Sequence, residues 1–240
     1  FDLLIIGAGS AGFAAAIRAS ELGAKVGLVE GGTMGGTCVN VGCVPSKTLI
    51  RAADIHHRAQ HHGFDGIQTH ADRPLWPLIR NQKNELVLGL RKAKYADVLL
   101  SYPGIEYIIG KARIFPSGMK AQLSNGSPIK ASKILITSGA RPWAAPIPGL
   151  NDVAYLDSTS AMNLETLPAS MIVLGGSFVA LELGQTFSRL GVKITVVKPS
   201  LQFLPHEEPE MGTSLAKYLK NEGQLLLSGQ KVCGLQKNKL

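Results

Sequence analysis

Cys38 and Cys43 are the residues whose type and spacing most directly suggest chemistry. The chain contains three cysteines, too few for a disulfide scaffold, and these two stand five positions apart. In a reducing compartment, a close cysteine pair more often serves redox chemistry or metal binding than a structural role. A structural disulfide stays an alternative, and a zinc site is disfavoured because no second cysteine pair accompanies the first.

The residues around this pair suit a reactive thiol. Pro45 fits the first turn of a helix that we predict to run to about Arg58, so Cys43 lies near the helix N-terminus. The helix dipole favours a thiolate at that position. Cys38 lies in the glycine-bearing loop before the helix, near enough to Cys43 to close a small, reducible ring.

A glycine-rich turn near the start of the chain predicts a phosphate-binding element. Residues 7–12 fit G-x-G-x-x-G, after an apolar run typical of a buried parallel strand and before a helical pattern. Gly7 would form the turn, Gly9 would let the backbone approach a pyrophosphate, and Gly12 would let helix and strand pack closely. Glu30, 23 positions after Gly7, would accept hydrogen bonds from ribose hydroxyls. The alternative is that these glycines only shape a turn.

The same arrangement returns in the second half of the chain. Residues 141–149 contain three prolines and predict a linker. Beyond the linker a predicted strand leads into Gly175, a predicted helix follows, and Lys198 stands 23 positions after Gly175, the separation found in the first unit. Ser177 and Ala180 replace the second and third glycines, and both are small enough to preserve close approach. Lys198 could pair with a 2′-phosphate, which favours NADPH over NADH.

The repeat predicts an α/β fold with two Rossmann-like dinucleotide-binding domains, at residues 1–148 and 149–240. Each would have helices packed on a parallel sheet, in three layers. Between residues 105 and 136, short β-rich runs alternate with turn residues at Pro116-Ser117-Gly118 and Asn125-Gly126, which predicts an antiparallel β meander of hairpins.

Composition excludes some classes of partner. The net charge of +8 comes from scattered basic residues without a Lys/Arg block, so we predict no nucleic-acid binding. Phosphorylated cofactors are an alternative partner for this positive charge. No apolar run has the length of a membrane span and no secretory signal opens the chain, so we expect a cytoplasmic protein without a membrane partner.

Residues 35–47 carry the pattern G-G-T-C-x-N-x-G-C-x-P-S-K. This pattern resembles the redox-active segment of the flavin disulfide reductases, or pyridine nucleotide-disulfide oxidoreductases, which include glutathione reductase, dihydrolipoamide dehydrogenase and mercuric reductase. The resemblance implies FAD in the first domain and a nicotinamide dinucleotide in the second. It also implies that Cys43 exchanges electrons with the flavin, that Cys38 reacts with the substrate, and that Lys47 lies beside the flavin and pairs with Glu182 across the domain boundary.

The residues that the resemblance and the glycine motifs together assign to cofactor binding are Gly7, Gly9, Ser10, Ala11, Gly12, Glu30, Gly31, Gly32, Gly36, Thr37, Lys47, Ala112, Thr137, Ser138, Gly139, Gly175, Ser177, Phe178, Val179, Glu182 and Lys198. Among them, Ala112 is expected near the adenine, and the turn that begins at Thr137 is expected to return toward the flavin. Phe178 is either an aromatic lid or an ordinary core residue.

Within this family, residues 64–66, 90–95, 110–113 and 146–150 resemble the mercuric reductases more than the dihydrolipoamide dehydrogenases. This implies that electrons pass from NADPH through FAD to the cysteine pair and on to Hg(II), with Cys38 and Cys43 as mercury ligands. A lipoyl or glutathione disulfide is the alternative substrate, and a non-catalytic thiol or metal-binding fragment is the alternative class. The resemblance implies a homodimer at full length. It also implies a truncated nicotinamide domain, so we expect weak FAD retention and little turnover from 240 residues.

Two weaker candidates complete the set. His56, His57, His61 and His62 include a pair at i, i+4 that could bind a metal, but a solvated helix end is favoured because no carboxylate or cysteine joins them at ligand spacing. Cys233 stands in a β-like run and is expected to be a core thiol.

Overall fold

The computed structural model describes residues 1–115 and 120–237, so the turn predicted at Pro116-Ser117-Gly118 lies outside the described residues. The strands are β1 (Leu3–Ile6), β2 (Val26–Glu30), β3 (Ile105–Ile109), β4 (Ala112–Ile114), β5 (Lys120–Leu123), β6 (Pro128–Lys130), β7 (Lys133–Ile136), β8 (Ser170–Leu174), β9 (Lys193–Lys198) and β10 (Leu225–Ser228). The helices are α1 (Ser10–Glu21), α2 (Gly36–Asn40), α3 (Cys43–Arg58), α4 (Trp76–Arg91), α5 (Asp97–Leu99), α6 (Ser158–Ala161), α7 (Phe178–Arg189) and α8 (Pro209–Asn221). A π-helical segment, Lys92–Ala96, joins α4 to α5, and a 3₁₀ turn spans Leu150–Asp152.

The residues fall into two compact units. The first comprises Phe1–Pro45 and Asn84–Arg141, and the second comprises Ser46–Lys83 and Pro142–Leu240. Each unit has its own parallel sheet, with buried apolar residues packed on it. The domain boundary expected between residues 148 and 149 stays a prediction.

The first unit is built on a parallel sheet with the strand order β3-β2-β1-β7. Its central strands read as continuous apolar runs because both faces of the sheet are covered. On one face α1 packs against Ile5 and Leu28, with Phe13 in the same cluster. On the other face the antiparallel sheet β4-β5-β6 covers Leu4 and Val29. The carboxyl ends of β1, β2 and β7 therefore meet at one edge, which is where α/β sheets bind ligands.

The prediction of antiparallel hairpins throughout residues 105–136 is partly wrong. Among the described strands of this range, β4, β5 and β6 form the antiparallel meander, whereas β3 pairs parallel with β2, and β7 pairs parallel with β1. Short apolar runs look alike in both kinds of pairing, and the meander lies inside a long connection between two parallel strands. The turn at Asn125-Gly126 is confirmed: Gly126 has φ +89° and the Leu123 N–H donates to the Ser127 carbonyl over 2.9 Å.

The second unit repeats the strand, turn, helix, strand order of the first. Its parallel sheet has the order β10-β9-β8, and Phe187 of α7, Leu219 of α8 and Val196 of β9 are fully buried in its core. The predicted α/β class with two Rossmann-like units is confirmed. Across the described residues, no helix is both long and apolar enough to cross a lipid bilayer.

Candidate functional site

The first glycine turn leaves no room for side chains. Gly7 has φ +112°, a conformation that L side chains rarely adopt. A methyl group on Gly12 would lie 2.8 Å from Oγ1 of Thr137 and would overlap the carbonyl oxygen of Gly7. The Thr137 hydroxyl donates to that same carbonyl over 2.8 Å. The ends of β1 and β7 and the start of α1 are therefore fixed together by backbone contacts that only these small residues permit.

The cysteine loop packs directly on this turn. A methyl group on Gly36 would lie 2.6 Å from Cα of Gly9, so the two backbones touch. Gly9 is the N-cap of α1 and has no side chain that could cap the helix. Ser10 and Ala11, which follow it, are exposed. The N–H groups at this helix end and the close backbone approach suit a pyrophosphate.

Glu30 provides carboxylate oxygens at the end of β2. Its Oε2 accepts a hydrogen bond from the Ala8 N–H over 2.7 Å, and its Oε1 accepts one from the Gly32 N–H over 2.7 Å. A methyl group on Gly31 would lie 2.7 Å from Cγ of Lys111, immediately before Ala112 at the start of β4. The acidic residue and its two glycines therefore line one rim of the same sheet edge.

The third part of this edge follows β7. Thr137 donates its backbone N–H to the Ile6 carbonyl over 2.9 Å, which continues the parallel ladder by one residue. Ser138 is next in the chain, and Gly139 has φ +70°, so the chain turns there. The structure thus brings together the cofactor residues predicted in the first unit, and their roles stay predictions.

Cys38 and Cys43 are exposed thiols that lie beside each other. Cys38 belongs to the short helix α2 and Cys43 is the first residue of α3. The two side chains share a hydrogen bond, which, with partial burial and the charge of Cys43, raises the pKa of the Cys38 thiol. Gly42 permits this approach, because a methyl group there would lie 3.3 Å from Cα of Cys38 and 2.9 Å from the Thr37 carbonyl oxygen. The predicted proximity of the two sulfurs is confirmed.

Three residues that support the cysteine loop were missed by sequence reasoning. Asn40 donates from Nδ2 to the carbonyls of Met34 and Gly36 over 2.9 Å each. Its Oδ1 accepts a hydrogen bond from Nε of Arg91 over 2.7 Å. The Tyr95 ring packs edge-on against Phe13 of α1, and its hydroxyl lies within hydrogen-bonding distance of Ser10. The asparagine lies inside the motif, but nothing in the sequence ties it to residues about fifty positions away.

Lys47 and Glu182 form the contact that the family resemblance predicted. The Lys47 ammonium donates to Oε1 of Glu182 over 2.5 Å. Both residues belong to the second compact unit, and Thr186 donates its hydroxyl to the Glu182 carbonyl over 2.7 Å. The ion pair therefore joins α3, which begins with Cys43, to α7, which follows the second glycine turn.

The second glycine turn has the backbone geometry of the first. Gly175 has φ +120° and its N–H donates to the Val197 carbonyl over 2.9 Å. Ser177 is the N-cap of α7 without a side-chain capping bond, and Phe178 and Val179 after it are more than half exposed. The alternative prediction, that Phe178 is an ordinary core residue, is therefore wrong.

Lys198 is buried at this turn. Its Nζ donates to the Gln202 carbonyl and lies 4.5 Å from the ring centroid of Phe203. A methyl group on Gly176 would lie 2.6 Å from Cδ of Lys198, so the lysine stem covers the glycine turn. Burial lowers the pKa of the Lys198 ammonium. The lysine is at the predicted place, but its charge is directed to a loop carbonyl.

The two weaker candidates have different outcomes. His57 and His61 are stacked with ring centroids 4.4 Å apart, and His56 contacts the Arg189 carbonyl. No group of three or more His, Cys, Asp or Glu among the described residues is arranged to hold a metal ion. The core-thiol prediction for Cys233 is wrong: residues 231–237 form no strand, and this side chain is exposed.

Comparisons with known proteins identify the family. The chain matches the pyridine nucleotide-disulphide oxidoreductase family over residues 1–240. It is 42% identical to the mercuric reductase of Staphylococcus aureus over 95% of this chain and 41% of that protein. It is 43% identical to the mercuric reductase of Bacillus cereus over 95% of this chain and 36% of that protein. The chain thus spans about two fifths of the length of these curated relatives.

A solved structure gives the same answer for the fold. The Cu(II) complex of the HOCl-induced flavoprotein disulfide reductase RclA from Escherichia coli superposes with a TM-score of 0.85 at 30% sequence identity. The match covers 99% of this chain and 51% of that one.

Proposed function

Because the chain belongs to the pyridine nucleotide-disulphide oxidoreductase family, we propose that it uses NADPH to reduce a Cys38–Cys43 disulfide and passes the electrons on to Hg(II). The observation that carries this proposal is the pair of adjacent, exposed thiols on a loop packed against the first glycine turn. The identity to mercuric reductases of two bacteria supports mercury as the substrate.

The thiol pair suits a soft metal ion. Thiolate sulfur is the preferred ligand of such ions, and two sulfurs beside each other can hold one ion between them. The hydrogen bond between Cys38 and Cys43 holds a proton at the site before substrate arrives, and that proton must leave when both sulfurs bind the metal. The overall reaction is balanced as Hg(II) plus NADPH giving elemental mercury, NADP⁺ and one proton.

The first unit fits FAD. The turn of Gly7 and Gly9 and the N-terminus of α1 would hold the pyrophosphate, and Glu30 would accept hydrogen bonds from the ribose. FAD, when bound, supplies the step that joins two-electron hydride transfer to thiol–disulfide chemistry. The contact between Gly9 and Gly36 supports this assignment, because it brings the cysteine loop to the edge that would hold the cofactor.

NADPH is the proposed reductant, with the turn at Gly175 and the N-terminus of α7 as its phosphate site. The basic Lys198, where the first unit has the acidic Glu30, supports NADPH over NADH. A cytoplasmic location, where thiols are kept reduced, and a homodimeric assembly of the full-length protein belong to the same proposal.

A second metal substrate has specific support. The Escherichia coli flavoprotein disulfide reductase that superposes on this chain was solved as a Cu(II) complex. An exposed dithiol can reduce two Cu(II) ions to Cu(I), giving one electron to each and releasing two protons as the disulfide forms, and thiolate sulfur is a preferred ligand of Cu(I). Lipoyl or glutathione disulfides stay alternative substrates, and sequestration of metal without turnover stays the alternative to catalysis.

The test measures NADPH oxidation by the FAD-reconstituted protein with and without Hg(II), in an excess of small thiol. Hg(II)-stimulated oxidation that is lost in C38S and in C43S, and retained in the matched exposed-cysteine control C233S, supports the proposal. Tight binding of Hg(II) without stimulated oxidation would instead identify a sequestering protein. Parallel assays with Cu(II), lipoamide and oxidised glutathione separate the alternative substrates.

A further inference from the structure

We propose that Arg91 is a positioning residue for the cysteine pair, which acts through Asn40 to fix the loop that carries Cys38. This inference rests on the proposed function only for the redox use of the pair. The relevant contacts lie within the first compact unit.

Arg91 determines which way the Asn40 amide faces. An asparagine amide has a donating end and an accepting end, and the guanidinium can only donate. Because Nε of Arg91 lies 2.7 Å from Oδ1, the Nδ2 group of Asn40 must face the opposite side. There it donates to the carbonyls of Met34 and Gly36, both over 2.9 Å.

The loop needs this external support because its backbone is unusual. Gly35 and Gly36 have φ values of +102° and +64°, and glycine loses more conformational freedom on folding than any other residue. The carbonyls that Asn40 binds flank this double-glycine turn. Asn40 is also the last residue of α2, two positions after Cys38, so holding its side chain orients the helix that carries the reactive sulfur.

Tyr95, four residues after Arg91, makes a second contact with the loop. The Tyr95 ring packs edge-on against Phe13 with centroids 4.7 Å apart, and its hydroxyl lies 3.3 Å from Oγ of Ser10. A methyl group on Gly35 would lie 3.4 Å from Cε2 of the same ring. Tyr95 belongs to the π-helical segment directly after Arg91, and such segments are frequent at functional sites.

The functional consequence concerns the closing of the disulfide. Two thiols held next to each other form a disulfide more favourably than two thiols on a mobile loop, because less conformational entropy is lost on ring closure. Loss of the Arg91 hydrogen bond should therefore weaken the disulfide relative to the dithiol. We expect roughly a tenfold fall in the equilibrium constant, which corresponds to about 30 mV for a two-electron couple.

The experiment equilibrates the whole chain with mixtures of oxidised and reduced dithiothreitol. In this exchange the two protein thiols give two electrons and two protons to the reagent disulfide, so an S–S bond forms between Cys38 and Cys43 while the reagent becomes a dithiol. Acid quenching, alkylation and mass spectrometry of the peptide give the fraction oxidised. The assay needs neither flavin nor mercury, so its outcome is separate from that of the proposed reductase activity.

The variants are R91A, R91Q and R91K, with K92A as the matched control, since Lys92 is the next residue and pairs with Asp97 over 2.7 Å. We expect the constant to fall about tenfold in R91A and R91Q, to fall less in R91K and to stay within about twofold in K92A. R91Q retains most of the stem and provides the same test if R91A does not fold.

A double-mutant cycle identifies the route of the effect. If Arg91 acts through Asn40, the R91A/N40A protein should have the same constant as N40A. Unchanged constants in R91A and R91Q, an equal fall in K92A, or additive effects in the double mutant would each overturn the inference. A lower thermal midpoint with an unchanged constant would mean that Arg91 is structural only.

Discussion

The Lys47 ammonium lies 2.5 Å from Oε1 of Glu182, although the two residues are 135 positions apart. Lys47 is one helical turn after Cys43 on α3, and Glu182 is on the helix that follows the second glycine turn. The Lys47 side chain is 58% exposed and the Glu182 side chain is 41% exposed, so water screens the pair. We infer that the main effect of the pair is to orient the Lys47 ammonium one helical turn from Cys43, because a half-exposed ion pair contributes little to stability.

Loss of this ion pair should affect redox chemistry far more than folding. We expect K47M and E182Q to change the free energy of unfolding in urea by less than about 1 kcal/mol, as is usual for exposed pairs. In FAD-reconstituted protein, K47M should slow NADPH-dependent turnover at least about tenfold, the effect of removing one positioned charge near a reacting group. K217M, at an exposed lysine of α8, is the control. A stability loss above 2 kcal/mol in K47M would show that the pair is structural.

Glycine substitutions should separate close packing from helix propensity. In G12A the new methyl group overlaps the Gly7 carbonyl oxygen and lies 2.8 Å from Oγ1 of Thr137, so we expect a loss of about 1–3 kcal/mol and weaker FAD binding. In G89A the methyl group of an exposed residue of α4 meets nothing within 4 Å. Alanine is there the better helix former, so stability should rise by about 0.5–1 kcal/mol. Chemical denaturation of both variants measures the change in the free energy of unfolding. A change of the same sign in G12A and G89A would contradict this prediction.

The sequence was sufficient for features that depend on local pattern. Residues 7–12 and Glu30 predicted the first turn and the strand end, and the motif at residues 35–47 predicted the adjacent sulfurs, because close backbone contact demands glycine wherever it occurs. Features that depend on the tertiary fold were not visible. The Arg91 side chain reaches Asn40 because the tertiary fold brings the last residue of α4 beside the cysteine loop.

Pairing direction and burial near the ends of elements were also beyond the sequence. The strand at Ile105–Ile109 has the same apolar pattern whether it pairs parallel or antiparallel, and its partner is almost 80 positions away. The charge of Lys198 was evident, but its burial against Phe203 depends on how the loop after β9 folds back. Cys233 looked like a strand residue, yet no neighbouring strand pairs with residues 231–237.

The partly buried ion pairs of Arg189 should make the second unit sensitive to acid. Arg189 donates to Asp54 over 3.2 Å and to Glu222 over 2.7 Å, with all three side chains less than one fifth exposed. The hydrogen bond from Arg58, with the charges of Arg58 and Arg189, holds the pKa of Asp54 below its ordinary value. Burial opposes ionisation of Glu222, but the hydrogen bond and charge of Arg189 outweigh it and hold that pKa low as well.

These depressed pKa values stabilise the folded protein above the ordinary carboxyl values of 3.8 and 4.5. As the pH falls below them, the unfolded chain binds protons first and this stability is lost. R189A should cost about 2 kcal/mol at pH 7, because it leaves the partly buried Glu222 carboxylate without its cation and removes one of the cations that pair with Asp54. Its deficit should shrink at pH 3.5, where these carboxylates take up protons. R58A, which removes the exposed partner of Asp54, should cost less than about 1 kcal/mol.

Lys198 provides the test of cofactor choice. If its ammonium pairs with the 2′-phosphate, it must leave the Gln202 carbonyl when the dinucleotide binds. K198M, which keeps the apolar stem over Gly176, should then weaken NADPH binding about tenfold and leave NADH binding nearly unchanged, since only NADPH carries that phosphate. Isothermal titration of both dinucleotides measures the ratio. Equal losses for NADPH and NADH would mean that Lys198 only holds the loop against the turn, and the preference for NADPH would lose its support.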